Sequence, residues 1–381
     1  MSTSLLAEYE GLVQRHPADP YARMQLARLW ERQKRWDRGA EAWLGVLPLL
    51  QGIEGCQEDY VEGLETLGDW LSSGKLAPFE RFPPLALRVE LAVVSARAEI
   101  HLTDQVEQLR RKQRAELLKQ LLADRRFEAD PVQFPEGENL VRDGDSKGEI
   151  FLLVEGACDV LVTGTSIWEI AEEPTLRWVD RLGPNEIFGA SPLFPASDHF
   201  KETIATRTPC KVLRYRYERF DWREQGEGRE LFQRNVLWGL GAHPLFSALS
   251  PTFRFLLAFS SQPRRLKPKD ILCEEGDSGG SLYLVLNGWV AIHARNGEGV
   301  PVTVSRRGRG YVLGEVGAID AVRSASMVAD DDLYLAEIPE KAVHQLMRHL
   351  PAFKGLLAEQ HRFHLEQNLE GTRLLYPRPR G

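Results

Sequence analysis

The sequence predicts a multidomain α+β protein, an N-terminal α-helical repeat-like domain followed by two β jelly-roll barrels with flanking helices. Two observations predict it. Residues 1 to about 100 place apolar side chains at helical spacing. Beyond them the chain repeats itself at a constant offset of 132, so that Phe134 answers to Leu266, Asp145-Ser146 to Asp277-Ser278, Phe151 to Tyr283 and Gly156 to Gly288. Each copy alternates apolar residues between glycine turns, the pattern of short antiparallel strands. Closing such a sheet into a barrel protects its edges.

The helical part divides at Pro17-Ala-Asp-Pro20. Before it lie Leu5, Leu6, Tyr9, Leu12 and Val13; after it Leu26, Ala27, Leu29 and Trp30; and past a turn at 34–37, Ala40, Trp43, Leu44 and Leu47. Counted from Pro20, Leu26, Ala27, Trp30, Gly39 and Trp43 fall on large, small and aromatic positions that resemble a tetratricopeptide repeat. The resemblance implies a groove that binds a protein partner; a plain helical cap on the next domain is the alternative. An amphipathic stretch from about 101 to 127 contains Leu117–Leu122 and a charged face at Arg110-Arg111-Lys112. The expected domains are residues 1–100 (helical), 112–241 (first barrel), 242–370 (second barrel) and a disordered tail at 371–381.

Composition excludes several classes. At 381 residues, 43% hydrophobic and 27% charged, the chain has the make-up of a soluble globular protein. A net charge of −7 argues against general nucleic-acid binding, which depends on neutralising phosphates. Cys56, Cys158, Cys210 and Cys273 are scattered and form no CxxC pair, as expected of reduced core thiols rather than a disulfide frame or zinc site. The first residues carry no basic and apolar leader, and no apolar run reaches membrane-spanning length. The expected compartment is the cytoplasm, without membrane insertion.

The stretch with most chemistry is Val312-Leu313-Gly314-Glu315-Val316-Gly317-Ala318-Ile319, followed by Arg323-Ser324-Ala325. An apolar pair ends a strand, Gly314 turns the backbone, and a short apolar run suits one helical turn whose free N–H groups favour an anion. Arg323 supplies a planar fork that matches phosphate oxygens, and Glu315 can accept a hydrogen bond from a ribose hydroxyl. These residues resemble the phosphate-binding cassette of the cyclic nucleotide-binding domain family, which reads Phe-Gly-Glu, short helix, Arg-(Ala/Ser)-Ala. Leu313 replaces the Phe, and Arg323 follows Glu315 by eight positions, one or two fewer than usual. The resemblance implies cAMP or cGMP as ligand, held by Gly314, Glu315, Gly317, Ala318, Arg323 and Ser324. It also implies a C-terminal helix that closes over the ligand as a lid, with Phe363 the candidate lid residue and Phe353 and Leu357 equally open.

In the first barrel the corresponding run is Ile187-Phe188-Gly189-Ala190-Ser191. Ala190 stands where the ribose-binding Glu belongs, the Arg is missing, and Lys201 is opposed by Asp198 and Glu202. A degenerate, structural copy is expected. Gly276-Asp277-Ser278-Gly279-Gly280 spells a serine-protease nucleophile loop, but no His segment suits it and the repeat has a tight turn there. His361 and His364 lie three apart on one helix without an accompanying carboxylate or Cys cluster, so no metal site is expected. The function expected is non-enzymatic: a regulatory protein that senses a cyclic nucleotide in the second barrel and relays it to a partner through the helical domain. The alternative is a ligand-free scaffold in which both barrels are surfaces for protein–protein interaction.

Overall fold

The computed structural model describes residues 2–51, 53, 55–76, 84–99, 102, 104–106, 108–112, 129–142, 149–164, 175–189, 202–216, 228–295 and 299–375. Its N-terminal part contains the helices α1 (Ser2–Arg15), α2 (Pro20–Arg32), α3 (Trp36–Gln51), α4 (Gln57–Ser72) and α5 (Leu85–Glu99). The break at residues 17–20 starts α2 for a local reason. The Asp19 carboxylate accepts from the Tyr21 and Ala22 amides, and Pro20 fills a first-turn position that needs no N–H.

Packing in this region sets small residues against aromatic ones. Trp43 and Trp70 are fully buried. A Cβ on Gly39 would lie 2.9 Å from the Trp70 ring, and one on Gly63 would lie 2.7 Å from that of Trp43. Helix α5 has two buried faces. Leu85, Val89, Ala92 and Val93 join the helical core. Leu91, with Leu87, Val94 and Ala98, packs into the core of the second barrel's helices. An all-round apolar helix is what burial on two sides requires. Helix α5 therefore serves as a wall shared by the two cores.

The first barrel runs β1 (Ala129–Phe134), β2 (Asn139–Val141), β3 (Glu149–Glu155), β4 (Cys158–Gly164), β5 (Thr175–Leu182), β6 (Ile187–Gly189), β7 (Glu202–Thr206) and β8 (Cys210–Arg216). Its two sheets have the orders β1-β8-β3-β6 and β2-β7-β4-β5, the arrangement of a jelly roll. Helix α6 (Gly228–Ala242), a 3-10 turn at Phe246–Ala248 and helix α7 (Pro251–Ser260) lead to the second barrel. There β9 (Gln262–Leu266), β10 (Ile271–Cys273), β11 (Leu282–Asn287), β12 (Val290–Arg295), β13 (Pro301–Arg307), β14 (Val312–Leu313), β15 (Ser326–Ala329) and β16 (Leu333–Ile338) repeat both sheet orders. The offset of 132 holds from Asn139 and Ile271 through Cys158 and Val290, then shortens as the later loops differ. Helix α8 (Glu315–Asp320) sits between β14 and β15, and α9 (Glu340–His349) and α10 (Pro351–Leu375) close the described chain.

Helix α10 thus continues through Leu375, so the predicted tail at 371–381 begins inside a helix. Residues 376–381 lie outside the described residues, as do Leu117–Leu122 and the first barrel's Ala190, Asp198 and Lys201. The four cysteines are free, with Cys158 and Cys210 buried side by side at 3.6 Å between sulfurs. Among the described residues no helix is long and apolar enough to cross a membrane.

Polar contacts seal the three parts together. The Ser250 amide donates to Ser95 Oγ of α5 at 3.1 Å, and the Thr252 hydroxyl donates to Glu99. Arg254 of α7 is buried, and burial pushes its guanidinium down to about 10, against the raising charges of Asp180 and Glu99 and with a lowering one from Arg110. Those groups come from the first barrel and from the helical region, so Arg254 sits where all three parts meet. In the helical region Gly63→Val drives two methyl groups into the Trp43 ring, and overpacking of this kind costs about 1–3 kcal/mol. A lowered urea midpoint with an unchanged slope is the expected measurement.

Candidate functional site

The cavity lies at the corner between β14 and β15. Gly314 adopts φ +91°, and a Cβ there would stand 2.7 Å from the Ser281 carbonyl oxygen and 2.4 Å from Arg323 Nη1. Only glycine permits both the left-handed turn and the close approach. The chain then enters α8, whose first residue Glu315 is buried, and leaves it through Ala321 at φ +60°. That second left-handed residue brings Arg323 back beneath the corner.

Arg323 is 4% exposed, and two backbone carbonyls hold it. Its Nη1 donates to Gly314 at 3.1 Å and its Nη2 to Ser281 at 2.9 Å. The guanidinium carbon lies 5.2 Å from the centre of the Tyr283 ring, a cation–π contact. Burial pushes the Tyr283 phenol up while the Arg323 charge pulls it down, and the Cys273 thiol feels the same opposed pair. The positive potential of Arg323 therefore reaches two neighbouring strands.

The backbone of Arg323 is also fastened. Its N–H donates to Asp277 at 2.8 Å, its carbonyl accepts from Gly276 at 2.8 Å, and Gly279 donates to Ala321 at 3.1 Å. The Gly-Asp-Ser-Gly-Gly turn is thus the strap that holds the cassette. Ser278 contributes a backbone bridge to Val322.

A cavity of about 50 Å³ opens here, and of the sequence-derived candidates Gly314, Glu315, Gly317, Arg323 and Ser324 line it. Ala318 does not: its side chain is in the core of the second barrel's helices and its N–H donates to Gly314 at 3.0 Å. Phe363 is half-buried and is not among the lining residues. Phe353 and Leu357 are fully buried in the shared core. The C-terminal helix presents His361 to the cavity instead. Phe353, Leu357 and His361 form one stripe at four-residue spacing, so core packing of the first two aims the third at α8. Ser305 and Arg307 of β13 are further lining residues. Among the described residues no group of three or more His, Cys, Asp or Glu side chains is placed to hold a metal ion.

In the first barrel, Gly189 has φ +129°, and a Cβ there would meet the Glu149 carbonyl at 2.5 Å, as Gly314 would meet Ser281. Phe151 pairs with Phe188 across β3 and β6, and their rings stack at 5.2 Å. The second barrel pairs Tyr283 with Leu313 at the same place. The Leu leaves the Tyr283 face to the Arg323 guanidinium.

A family model for the cyclic nucleotide-binding domain matches residues 131–222 and 263–349. A cAMP-dependent protein kinase regulatory subunit from Hypocrea atroviridis is 26% identical over 217 residues, covering 55% of this chain and 45% of the relative. A cyclic AMP receptor protein from Thermus thermophilus is 36% identical over 117 residues, covering 30% of this chain and 54% of the relative. The chain spans about half the length of the relatives it matches. Among solved structures, the regulatory subunit of a cAMP-independent protein kinase A from Trypanosoma cruzi bound to guanosine covers 64% of this chain and 84% of its own, at 16% identity and a TM-score of 0.33.

The geometry sets a test of its own. A Cβ on Gly317 would lie 2.3 Å from the Gly279 carbonyl and 2.8 Å from Arg323 Nη1. Gly→Ala inside a helix ordinarily gains about 1 kcal/mol. Here Gly317→Ala is expected to lose about 1–3 kcal/mol instead, read as a lowered urea midpoint, because backbone has to move.

Proposed function

We propose that the two barrels are cyclic nucleotide-binding domains in tandem behind a helical region, as the match over residues 131–222 and 263–349 supports, and that the second senses cAMP or cGMP. Arg323 pairs with the cyclic phosphate, Glu315 holds the ribose, and Gly314, Gly317 and Ser324 shape the corner. One observation carries this reading: a buried guanidinium held by two backbone carbonyls and a buried carboxylate at the first residue of α8 line the same cavity. The first barrel lacks the Glu and Arg in its sequence and serves as a structural copy.

The relay follows from helix α10. It packs on α8 at one end of its contacts and on α5 of the helical region at another, where a Cβ on Gly355 would stand 3.4 Å from Leu87. A ligand that changes how α10 meets α8 therefore changes how it meets α5. It can shift that equilibrium only by as much as it prefers one arrangement over the other. The helical region in turn offers its surface to a protein partner, in the manner of a repeat-like groove.

A second reading has its own observation. Both carbonyl partners of Arg323 come from the chain itself, so the cassette is held together without any anion. In that reading the barrels are rigid surfaces of a protein–protein interaction scaffold. A thermal-shift experiment with millimolar cAMP and cGMP separates the two. A ligand at 100 times its dissociation constant stabilises by about 2.7 kcal/mol, and a scaffold shows no shift. For a sensor, Arg323→Ala is expected to weaken binding by on the order of 2–5 kcal/mol, the cost of truncating one partner of a buried charged pair. An affinity unchanged in that variant would place the ligand elsewhere.

A further inference from the structure

A second cavity, of about 30 Å³, lies on the seam between the helical region and the segment that joins the two barrels. Leu47 of α3, Leu64 of α4, Ala96 of α5 and Leu249 give it an apolar wall. Leu64 and Tyr60 are half-buried and Gln51 is exposed, so its mouth lies on their side. Among the described residues, none that lines it carries a charge. One polar side chain there is left over. Ser250 is 6% exposed, and its Oγ has no hydrogen-bond partner among the described residues. The residue stands at the N-cap of α7, where a serine ordinarily accepts from a first-turn amide, yet its side chain caps nothing. A buried hydroxyl in that state costs free energy until something bonds to it. On the α3 side, Pro48 lies inside the helix and has no N–H to offer the Leu44 carbonyl one turn back. Both of those residues also line the cavity.

We propose that this seam is a binding site for a small uncharged amphiphile, an alkyl chain ending in a hydroxyl that hydrogen-bonds Ser250 Oγ. Three features select that class. The apolar wall favours a hydrocarbon body. The volume selects a chain end over a ring: one water needs about 10–15 Å³ of such space, so a hydroxyl and its carbon fill the cavity while the rest of the chain lies along the mouth. Charge selects a neutral head group. Glu99 already meets the positive end of α7, where it accepts from the Thr252 hydroxyl, so a carboxylate entering here would face a like charge. Burial, and then the Glu99 charge, push the Tyr60 phenol up, which keeps the mouth uncharged as well. Seams between domains are where such ligand sites commonly form. A ligand in this one touches α3, α4, α5 and the start of α7 together, so it strengthens the docking of the helical region on the barrels. Nothing in this site depends on nucleotide binding at the second barrel.

The test is saturation-transfer NMR of the full chain titrated with n-hexanol, with n-hexanoate as the charged control. Saturable binding of the alcohol is expected, and the carboxylate is expected to bind about tenfold more weakly. Ser250→Ala is expected to weaken the alcohol several-fold while its urea midpoint stays level or rises, because an unpartnered hydroxyl has no bond to lose. Loss of a working N-cap would lower that midpoint instead. Leu64→Trp, which fills the mouth, is expected to abolish binding. An alcohol signal that does not saturate overturns the proposal, as does one that both variants leave unchanged. Hexanoate that binds as tightly as hexanol also overturns it, since the site would then be one for anions. Circular dichroism checks that each variant is folded, and either variant alone suffices to decide.

Discussion

The second barrel is organised around the hold that two carbonyls have on one guanidinium. Gly314 and Ser281 accept from Arg323 at 3.1 and 2.9 Å, and the Tyr283 ring lies beneath. A buried cation left without such partners would be strongly destabilising. Much of the local geometry exists to supply them. Gly314 and Ala321 take left-handed conformations so that the chain can double back, and the 276–281 turn is bonded strand-like to 321–323. Arg323 is therefore preorganised, and a ligand that used it would not have to order it first.

The two barrels show how one side-chain exchange alters that design. Both keep the glycine that lets a strand carbonyl approach, at Gly189 and at Gly314. In the first barrel two phenylalanines satisfy each other by stacking. In the second, Leu313 cannot stack, and the ring of Tyr283 is available to a cation. The leucine at residue 313 is thus matched by the contact between its cross-strand partner Tyr283 and Arg323.

Above the cassette, the C-terminal helix ties the site to the rest of the molecule. Helix α10 buries Ala352, Phe353, Leu356 and Leu357 in a core that also contains Leu91 of α5 and Phe246 and Phe253 ahead of the second barrel. A cluster assembled from such distant segments is not easily moved in parts, because interiors are close-packed. Arg254, set among charges from the first barrel and the helical region, adds a polar tie at the same junction. Burial of such a charge is costly, and its worth lies in specifying one arrangement of the parts over others.

Much of this architecture was legible in the residues. The offset of 132 announced two copies of one barrel, because alternation and turn glycines are local properties that a strand cannot hide. Gly314, Glu315 and Arg323 stood out because their chemistry is rare at that spacing. Other features needed the folded chain. The Ser281 carbonyl carries no sequence signal, since every residue has one. His361 stood out in the residues only as one of a histidine pair with His364, and Phe363 attracted attention by its chemistry although it lies two positions off the stripe of Phe353, Leu357 and His361. Ala318 matched a motif position, yet its amide closes the helix on Gly314. By itself the sequence determined the strands, the turns and the placement of unusual charges, because these depend on neighbours along the chain. Which carbonyls Arg323 meets, which face of α10 reaches the cavity and which parts share one core were decided by tertiary structure. Those outcomes depend on contacts between residues far apart in the chain, and only packing selects among them.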